Sequence, residues 1–456
     1  MMEYMALVLF ACVCLVLLLG YPVALSLAGT SLLFAGVGVL LGGFDASYLQ
    51  ALPSRLYGIL TNTTLIAVPL FVFMGVLLEK SKIAEQLLNS MAQLLSGRFP
   101  AGTAISVILV GMLLAASTGI VGATVVTMGL LSLPTLLKRG YSAEFSSGLI
   151  CATGTLGQII PPSIALVLLG DVLSSAYQQA QLNMGIFSPD SVSVGDLFVG
   201  AIFPGIILVS LYILYVVFLS VKSGSGVPRQ DKQQTKVDLS SVLSALIPPL
   251  LLITLVLGTI ISGFATPTEA AGVGAIGALI LALAKRALRR SQLMAAMVET
   301  AKITSMVFLI LIGASVFSLV FRGFGGEELI QAFFSALPGG QIGAMLVVML
   351  IVFLLGFILD FIEITFVVVP IVAPALLMMG LDPVWLGIML AVNLQTSFLT
   401  PPFGFALFYL RGVAPKSIKT AQIYRGVLPF ILIQIMVLVM LFIWPEIATY
   451  LPDTIY

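Results

Sequence analysis

The sequence predicts an all-α polytopic membrane protein, laid out as two inverted repeats that each contain a re-entrant helical hairpin and a broken helix. Three observations predict it: the apolar composition, the placement of Lys and Arg between apolar runs, and an in-register match between two distant stretches. Apolar residues make up 60% of the 456 and charged residues 9%, against roughly 25% charged in an ordinary soluble domain. A globule could not hide that much apolar surface and still present a polar exterior. Lipid is the solvent that fits.

Composition also narrows the chemistry. Histidine is absent, which removes imidazole metal sites and His-dependent catalysis. Cys12, Cys14 and Cys151 all lie in apolar stretches, so neither a disulfide framework nor a thiolate cluster is expected. No G-x-x-x-x-G-K-[ST] loop occurs, and ATP binding of that kind is not expected. Asp360 and Glu363 could form an acid pair, but no other catalytic motif accompanies them. The chain is therefore expected to be no enzyme, with no catalytic residue, no organic cofactor and no affinity for nucleic acid. The apolar run 5–19 follows Glu3 without a basic n-region or small-residue cleavage site, and is expected to remain as a helix.

Apolar runs suitable for spanning fall at 5–19, 23–43, 64–78, 198–221, 243–263, 271–285, 303–321 and 426–444. Longer apolar stretches at 102–136, 145–170, 341–377 and 384–410 are interrupted by Gly, Pro and polar residues. Backbone that leaves the helix at membrane depth must find partners in protein or in a water-filled cavity.

Basic residues orient the chain. Lys222, Arg229, Lys232 and Lys236 lie in one loop and "KRALRR" at 285–290 in another, two spans apart, so both are expected in the cytoplasm. No Lys or Arg occurs between Arg139 and Lys222, which puts the connection holding Asp171, Asp190 and Asp196 outside. Lys80, Lys82 and Arg98 precede 102–136, and Lys138 and Arg139 follow it. That stretch is expected to enter and return on the cytoplasmic side. The stretch 341–377 has no basic flank, and Arg411, Lys416 and Lys419 lie one span beyond it. It is expected to be a hairpin entered from outside.

The two halves match. Residues 134–162 align without gaps on 374–402, an offset of 240, with Pro134/Pro374, Leu136/Leu376, Leu137/Leu377, Gly140/Gly380, Pro161/Pro401 and Pro162/Pro402 identical. The charge pattern sends the first copy outward and the second inward, which makes the repeat inverted. Interrupted segments in matching places of two such halves point to a transporter's binding site.

Four segments carry the candidate chemistry: "STGIVGAT" (117–124), "GTLGQIIPPS" (154–163), "GFILDFIEIT" (356–365) and "NLQTSFLTPPFG" (393–404). A Pro-Pro pair removes two backbone donors and leaves nearby carbonyls without intrahelical partners. Those carbonyls, with Ser, Thr, Asn and Gln oxygens, make an uncharged cage of the sort a dehydrated Na⁺ needs. Half-helix N-termini alongside can face a carboxylate. Asp360 and Glu363 are costly at membrane depth, so they are expected to serve the function, to form a salt-bridged or hydrogen-bonded brace of the hairpin, or to sit near the surface. The Met-rich patches, including Met378 and Met379, read as packing.

Seven stretches occur in one order: "GYPVALSLAG" (20–29), "VPLFVFMGVLLEKS" (68–81), "STGIVGATVVTMG" (117–129), the "GTLGQIIPPS" break, "VGDLFVGAIFPG" (194–205), "ATPTEAAGVGA" (265–275) and "TPPFG" (400–404). With them the chain resembles, along essentially its whole length, the large membrane subunit of the tripartite ATP-independent periplasmic (TRAP) transporters. The resemblance implies a secondary, elevator-type transporter in a bacterial inner membrane, driven by a Na⁺ gradient and carrying a small organic acid. It implies a soluble periplasmic binding protein and a small four-helix membrane subunit as partners, the latter as a separate chain. Carried over by motif, Ser117, Thr118, Gly119, Gly154, Gln158 and Pro161 would frame one Na⁺ site. Asp360, Thr365, Asn393, Thr396, Thr400 and Pro401 would frame the other. Thr124, Thr155, Gln395 and Ser397 would meet the substrate between the hairpin tips. Glu269 in "PTEA" is expected to be structural.

The implied layout assigns 1–60 to a scaffold, 61–171 to a transport domain with inner hairpin 102–136, and 172–197 to a periplasmic loop. Scaffold spans follow at 198–300, then transport domain at 301–412 with outer hairpin 341–377, then a C-terminal scaffold span at 413–456. The loop 172–193 resembles the branch associated with 2-oxo acids and lactate-like monocarboxylates, so a hydroxy- or oxo-carboxylate is the expected cargo.

Overall fold

The computed structural model describes residues 4–81, 83–95, 99, 101–222, 226–228, 239–286 and 288–455, and among them every regular element is helical. Lys82, Arg98, Arg229, Lys232 and Lys236, used above for orientation, lie outside the described residues, as do the side chains of Ser117 and Thr118.

The chain begins with α1 (Met5–Leu18) and α2 (Val23–Leu40), then the short amphipathic α3 (Leu52–Thr61) and α4 (Ala67–Lys80). The axis of 46–61 is bent by 52° from that of 64–80. Next come α5 (Ile83–Leu95), α6 (Gly102–Thr118), α7 (Val121–Lys138), α8 (Ala143–Thr155) and α9 (Ile164–Asn183). The middle holds α10 (Val194–Val221), α11 (Leu239–Ile261), α12 (Pro267–Ala284) and the long α13 (Arg290–Gly323). The last part holds α14 (Gly326–Ala336), α15 (Gly340–Leu355), α16 (Phe361–Val367), α17 (Val369–Met378), α18 (Pro383–Leu399), α19 (Phe405–Val413), α20 (Thr420–Ile443) and α21 (Glu446–Ile455). Seven of the described helices are long and apolar enough to cross a membrane, or nine if each bent pair counts once. This is a multi-pass membrane protein.

Two expectations need correction. The segment 172–197 is not a loop: α9 runs to Asn183 and α10 starts at Val194, leaving ten residues between them. Polar Ser, Gln and Tyr side chains lengthen the helix past the apolar run that marked it. The span expected at 303–321 begins thirteen residues earlier, at Arg290, because its first turns are amphipathic.

Caps explain several boundaries. Thr266 and Glu269 form a capping box at α12, with the Thr266 N–H donating to Glu269 Oε2 at 2.8 Å. Glu269 is structural, as expected. Ser193 and Asp196 do the same for α10.

Element boundaries recur at the 240-residue offset: α7 and α16 begin at Val121 and Phe361, and α8 and α18 at Ala143 and Pro383. Gly140 and Gly380, with φ of 90° and 92°, terminate α7 and α17, the left-handed conformation that favours Gly after a helix. The Pro161–Pro162 and Pro401–Pro402 bonds, both cis, lie in matching breaks. Gln395 Nε2 donates to Thr155 Oγ1 at 3.3 Å, and these residues are 240 apart. Counterparts that touch must sit beside the axis relating the two repeats. That axis passes through the centre of the protein, for every residue of α18 and Phe145 to Thr155 of α8 are buried. The broken helices are thus shielded from lipid, as non-helical backbone at membrane depth requires.

Candidate functional site

The break after α8 turns through a 3-10 segment at Leu156–Gln158. Ser163 caps α9, accepting from the Leu166 N–H at 3.4 Å while its hydroxyl donates to the Gly157 carbonyl at 2.7 Å. This closes one of the carbonyls that Pro161 and Pro162 would otherwise leave free. Across the axis, Thr400 Oγ1 donates to the Thr396 carbonyl at 2.7 Å and Thr396 Oγ1 to Val392 at 2.8 Å. Asn393 Nδ2 donates to Met349 at 2.8 Å and Ser397 Oγ to Phe353 at 2.8 Å, fastening α18 to α15. Each hydroxyl gives its proton to a carbonyl and keeps lone pairs for another partner. Thr365 is fully buried, and its Oγ1 has no partner among the described residues.

The tips of α6 and α16 face one another. Gly119 ends α6 with φ of 61°, and a Cβ there would meet the Ile164 backbone nitrogen at 3.0 Å, so the tip admits only Gly without a shift. Asp360 caps α16: it accepts from the Phe361 N–H at 2.7 Å, while Glu363 accepts from the Asp360 N–H at 3.0 Å. These hydrogen bonds brace the start of α16, one of the arrangements expected of the two carboxylates. Between the tips lies a cavity of about 150 Å³ lined by Gly119, Gln158 and Asp360, with Ile303 and Met306 of α13 opposite. Gln158 is 2% exposed, and neither atom of its amide has a partner among the described residues. An unpaired buried amide costs about 1–3 kcal/mol, so its donor and acceptor are available to whatever fills the cavity.

Of the expected site residues, the structure brings Gly119, Gln158 and Asp360 to one cavity. Gly154 packs α8 against Val125 of α7. Thr124 Oγ1 donates to Ile120 at 3.0 Å within α7. Thr155 lies below the tips, in a buried network in which Gln434 Nε2 reaches Thr155 Oγ1 at 3.4 Å and the Tyr212 hydroxyl at 2.9 Å. Pro161 and Pro401 mark the breaks.

Tyr409, not anticipated from the sequence, lines the tip cavity and also a neighbouring one of about 360 Å³ that reaches Glu79 and Glu299. Glu299 pairs with Lys80 at 2.9 Å, and Thr127 donates to Glu79 at 3.3 Å. The tip cavity therefore continues toward the Lys80 side of the protein. An aromatic ring on α19, 48 residues beyond the α16 tip, has no local pattern that could have flagged it.

The description "Tripartite ATP-independent periplasmic transporter, DctM component" matches residues 10–447. A C4-dicarboxylate TRAP transporter large permease protein from Vibrio cholerae is 29% identical, over 97% of this chain and 96% of its own. An ectoine TRAP transporter large permease protein from Halomonas elongata is 28% identical, over 96% of each. Among solved structures, the YdaH transporter of Alcanivorax borkumensis superimposes with a TM-score of 0.64 at 15% identity, covering 88% of this chain and 90% of that one. That likeness concerns the fold.

Proposed function

The chain belongs to the tripartite ATP-independent periplasmic transporter family as its DctM component, the large permease, and on that premise we propose that it imports a small organic acid together with Na⁺. The tip cavity carries the reading, because helix ends and the unpartnered Gln158 amide converge there on a volume of about 150 Å³. A 2-oxo or hydroxy carboxylate is the cargo we favour. Relatives of nearly equal identity are named for C4-dicarboxylates and for ectoine, so overall similarity does not choose among acids. We place the chain in a bacterial inner membrane, beside a small four-helix subunit and fed by a soluble periplasmic binding protein.

Oxygen-only ligand sets suit Na⁺. We assign one ion to Ser117, Thr118, Gly119, Gly154, Gln158 and Pro161, and a second to Asp360, Thr365, Asn393, Thr396, Thr400 and Pro401. The orphaned Thr365 hydroxyl supports the second set. Thr124, Thr155, Gln395 and Ser397 remain the proposed contacts around the acid.

The proposed mechanism is an elevator with re-entrant hairpins α6–α7 and α15–α17, in which 61–171 and 301–412 move against 1–60, 198–300 and 413–456. Packing favours shifting one edge of that division. Thr268 Oγ1 of α12 donates to the Thr63 carbonyl at 2.8 Å, and a Cβ on Gly274 would lie 2.7 Å from Met74 Sδ, so α4 is bound closely to α12. A disulfide between Thr63→Cys and Thr268→Cys decides the point. Uptake that survives the link keeps α4 with the scaffold, whereas arrest restores the boundary at 61.

The function is tested by uptake of labelled pyruvate, lactate and C4-dicarboxylates into proteoliposomes holding this chain and its small partner. Accumulation is expected to need both an inward Na⁺ gradient and the binding protein. Acid uptake without the binding protein would instead describe a stand-alone Na⁺/dicarboxylate carrier, and Na⁺ flux without acid uptake a Na⁺/H⁺ carrier.

A further inference from the structure

A second, larger cavity of about 450 Å³ lies among α3, α9, α13 and α17, away from the hairpin tips. Three helices each turn one face to it. Arg55, Ile59 and Asn62 project from α3 and its end, Asp171, Ser175 and Gln179 from α9, and Leu311, Ser315, Ser318 and Arg322 from α13. The spacings of three and four residues place each set on one side of its helix.

The charges there run against the general pattern of the chain. With the 285–290 loop in the cytoplasm, α13 ends outside, and α4, which ends at Lys80, begins outside. Arg55 and Arg322 are then the two basic side chains among the described residues that fall on the outer side. The tendency of membrane proteins is to keep Lys and Arg inside, yet both exceptions line this cavity. Two carboxylates face it as well. Arg322 is held by Glu327 at 2.5 Å, and Asp171 accepts from Asn62 Nδ2 at 2.9 Å. Arg55 is half-buried within electrostatic reach of Arg322 and Glu327, and its guanidinium makes no hydrogen bond or ion pair among the described residues.

The seven-residue α16 separates this cavity from the tip cavity: Phe366 lines the outer one, Phe361 and Ile362 the inner. We propose that the outer cavity is a loading site for a carboxylate, gripped by the Arg55 guanidinium, from which the acid passes α16 to the tips. The proposal rests on the organic-acid reading above. A guanidinium presents paired donors that match a carboxylate, and the volume suits a small acid.

The test measures initial uptake rates in the same proteoliposomes while acid, Na⁺ and binding-protein concentrations are varied separately. Arg55→Gln is expected to raise the acid concentration for half-maximal uptake about tenfold or more, leaving the Na⁺ dependence unchanged. Arg55→Lys is expected to recover only part of the loss, because an ammonium keeps the charge but lacks the paired donors. An unchanged acid dependence in Arg55→Gln, or a shift confined to binding-protein concentration, overturns the proposal; the latter would make Arg55 a docking residue. Should Arg55→Gln not be recovered folded, Ser315→Leu fills the same cavity from α13 and is expected to raise the half-maximal acid concentration likewise. A measurement independent of transport follows maleimide labelling of Ser175→Cys in purified protein. Millimolar lactate or succinate, but not chloride, is expected to slow it, and Arg55→Gln to abolish the protection. Protection without Na⁺-coupled uptake would retain the site and reject the transport reading. Uptake without protection would do the reverse.

Discussion

Gln158→Met is expected to leave the protein at least as stable as the parent while reducing uptake by about tenfold to a hundredfold. The two effects have opposite signs for one reason. The Gln158 side chain is 2% exposed and its amide has no partner among the described residues. Methionine has nearly the same length and shape and brings no group that needs a hydrogen bond. Removing an unsatisfied amide recovers up to about 1–3 kcal/mol of folding free energy, read as an equal or higher unfolding temperature in detergent. An interaction with a charged partner contributes about 1.5–3 kcal/mol, which converts to the stated range of uptake at subsaturating Na⁺. A residue that only shaped the break after α8 would show the contrary result, a less stable protein with loss of activity in proportion. Unaltered uptake by a stable Gln158→Met protein would remove this side chain from the site.

Much of the architecture is legible because the membrane enforces it locally. Apolar runs announced the spans, and the matched Pro-Pro breaks lie where the sequence put them. A Pro-Pro pair is nonetheless no sufficient sign of a break. Helix α11 runs through Pro248 and Pro249, since a membrane helix tolerates lost backbone donors when neighbours re-satisfy the freed groups. What distinguished 161–162 and 401–402 was company: polar residues at each break and recurrence at one offset. The helices α3, α5, α14 and α21 escaped notice because they are short and amphipathic, below the apolar length that a hydropathy reading requires. Gln434 was visible as a lone polar residue in an apolar run, but its partner Tyr212 is 222 residues away on α10. Gln158 was singled out as a cation ligand on the strength of its motif. Only the fold shows its amide without protein partners beside a cavity, because that depends on the distance between two hairpin tips more than 200 residues apart in sequence.

A close backbone contact between two helices supports the second prediction. On α8, a Cβ placed on Gly148 would collide with the Gly426 carbonyl of α20; on α20, one placed on Gly426 would collide with the Glu144 carbonyl. The two backbones therefore touch, a packing that small residues allow between membrane helices. Backbone cannot rotate aside as a side chain can, so any Cβ must push the helices apart. Gly426→Ala is expected to cost about 1–3 kcal/mol, and Gly426→Val more, to the point where little folded protein is recovered. Thermal unfolding of the alanine variant, and its yield against that of valine, check the order. The helices it separates are those that hold the Gln434–Thr155 bond and bury the axis between the repeats. Moving α20 outward exposes Thr155 and the side-chain carbonyl of Gln395, which has no partner among the described residues; both are buried polar groups at the centre of the protein. The consequence extends to the mechanism. If α20 stayed with a static scaffold while α8 slid, the Gly148–Gly426 contact would have to be left and remade in each cycle. Larger residues there would then slow transport more than they lower stability. If α20 travels with α8, the contact is permanent, and every folded Gly426→Ala molecule is expected to transport at close to the parent rate.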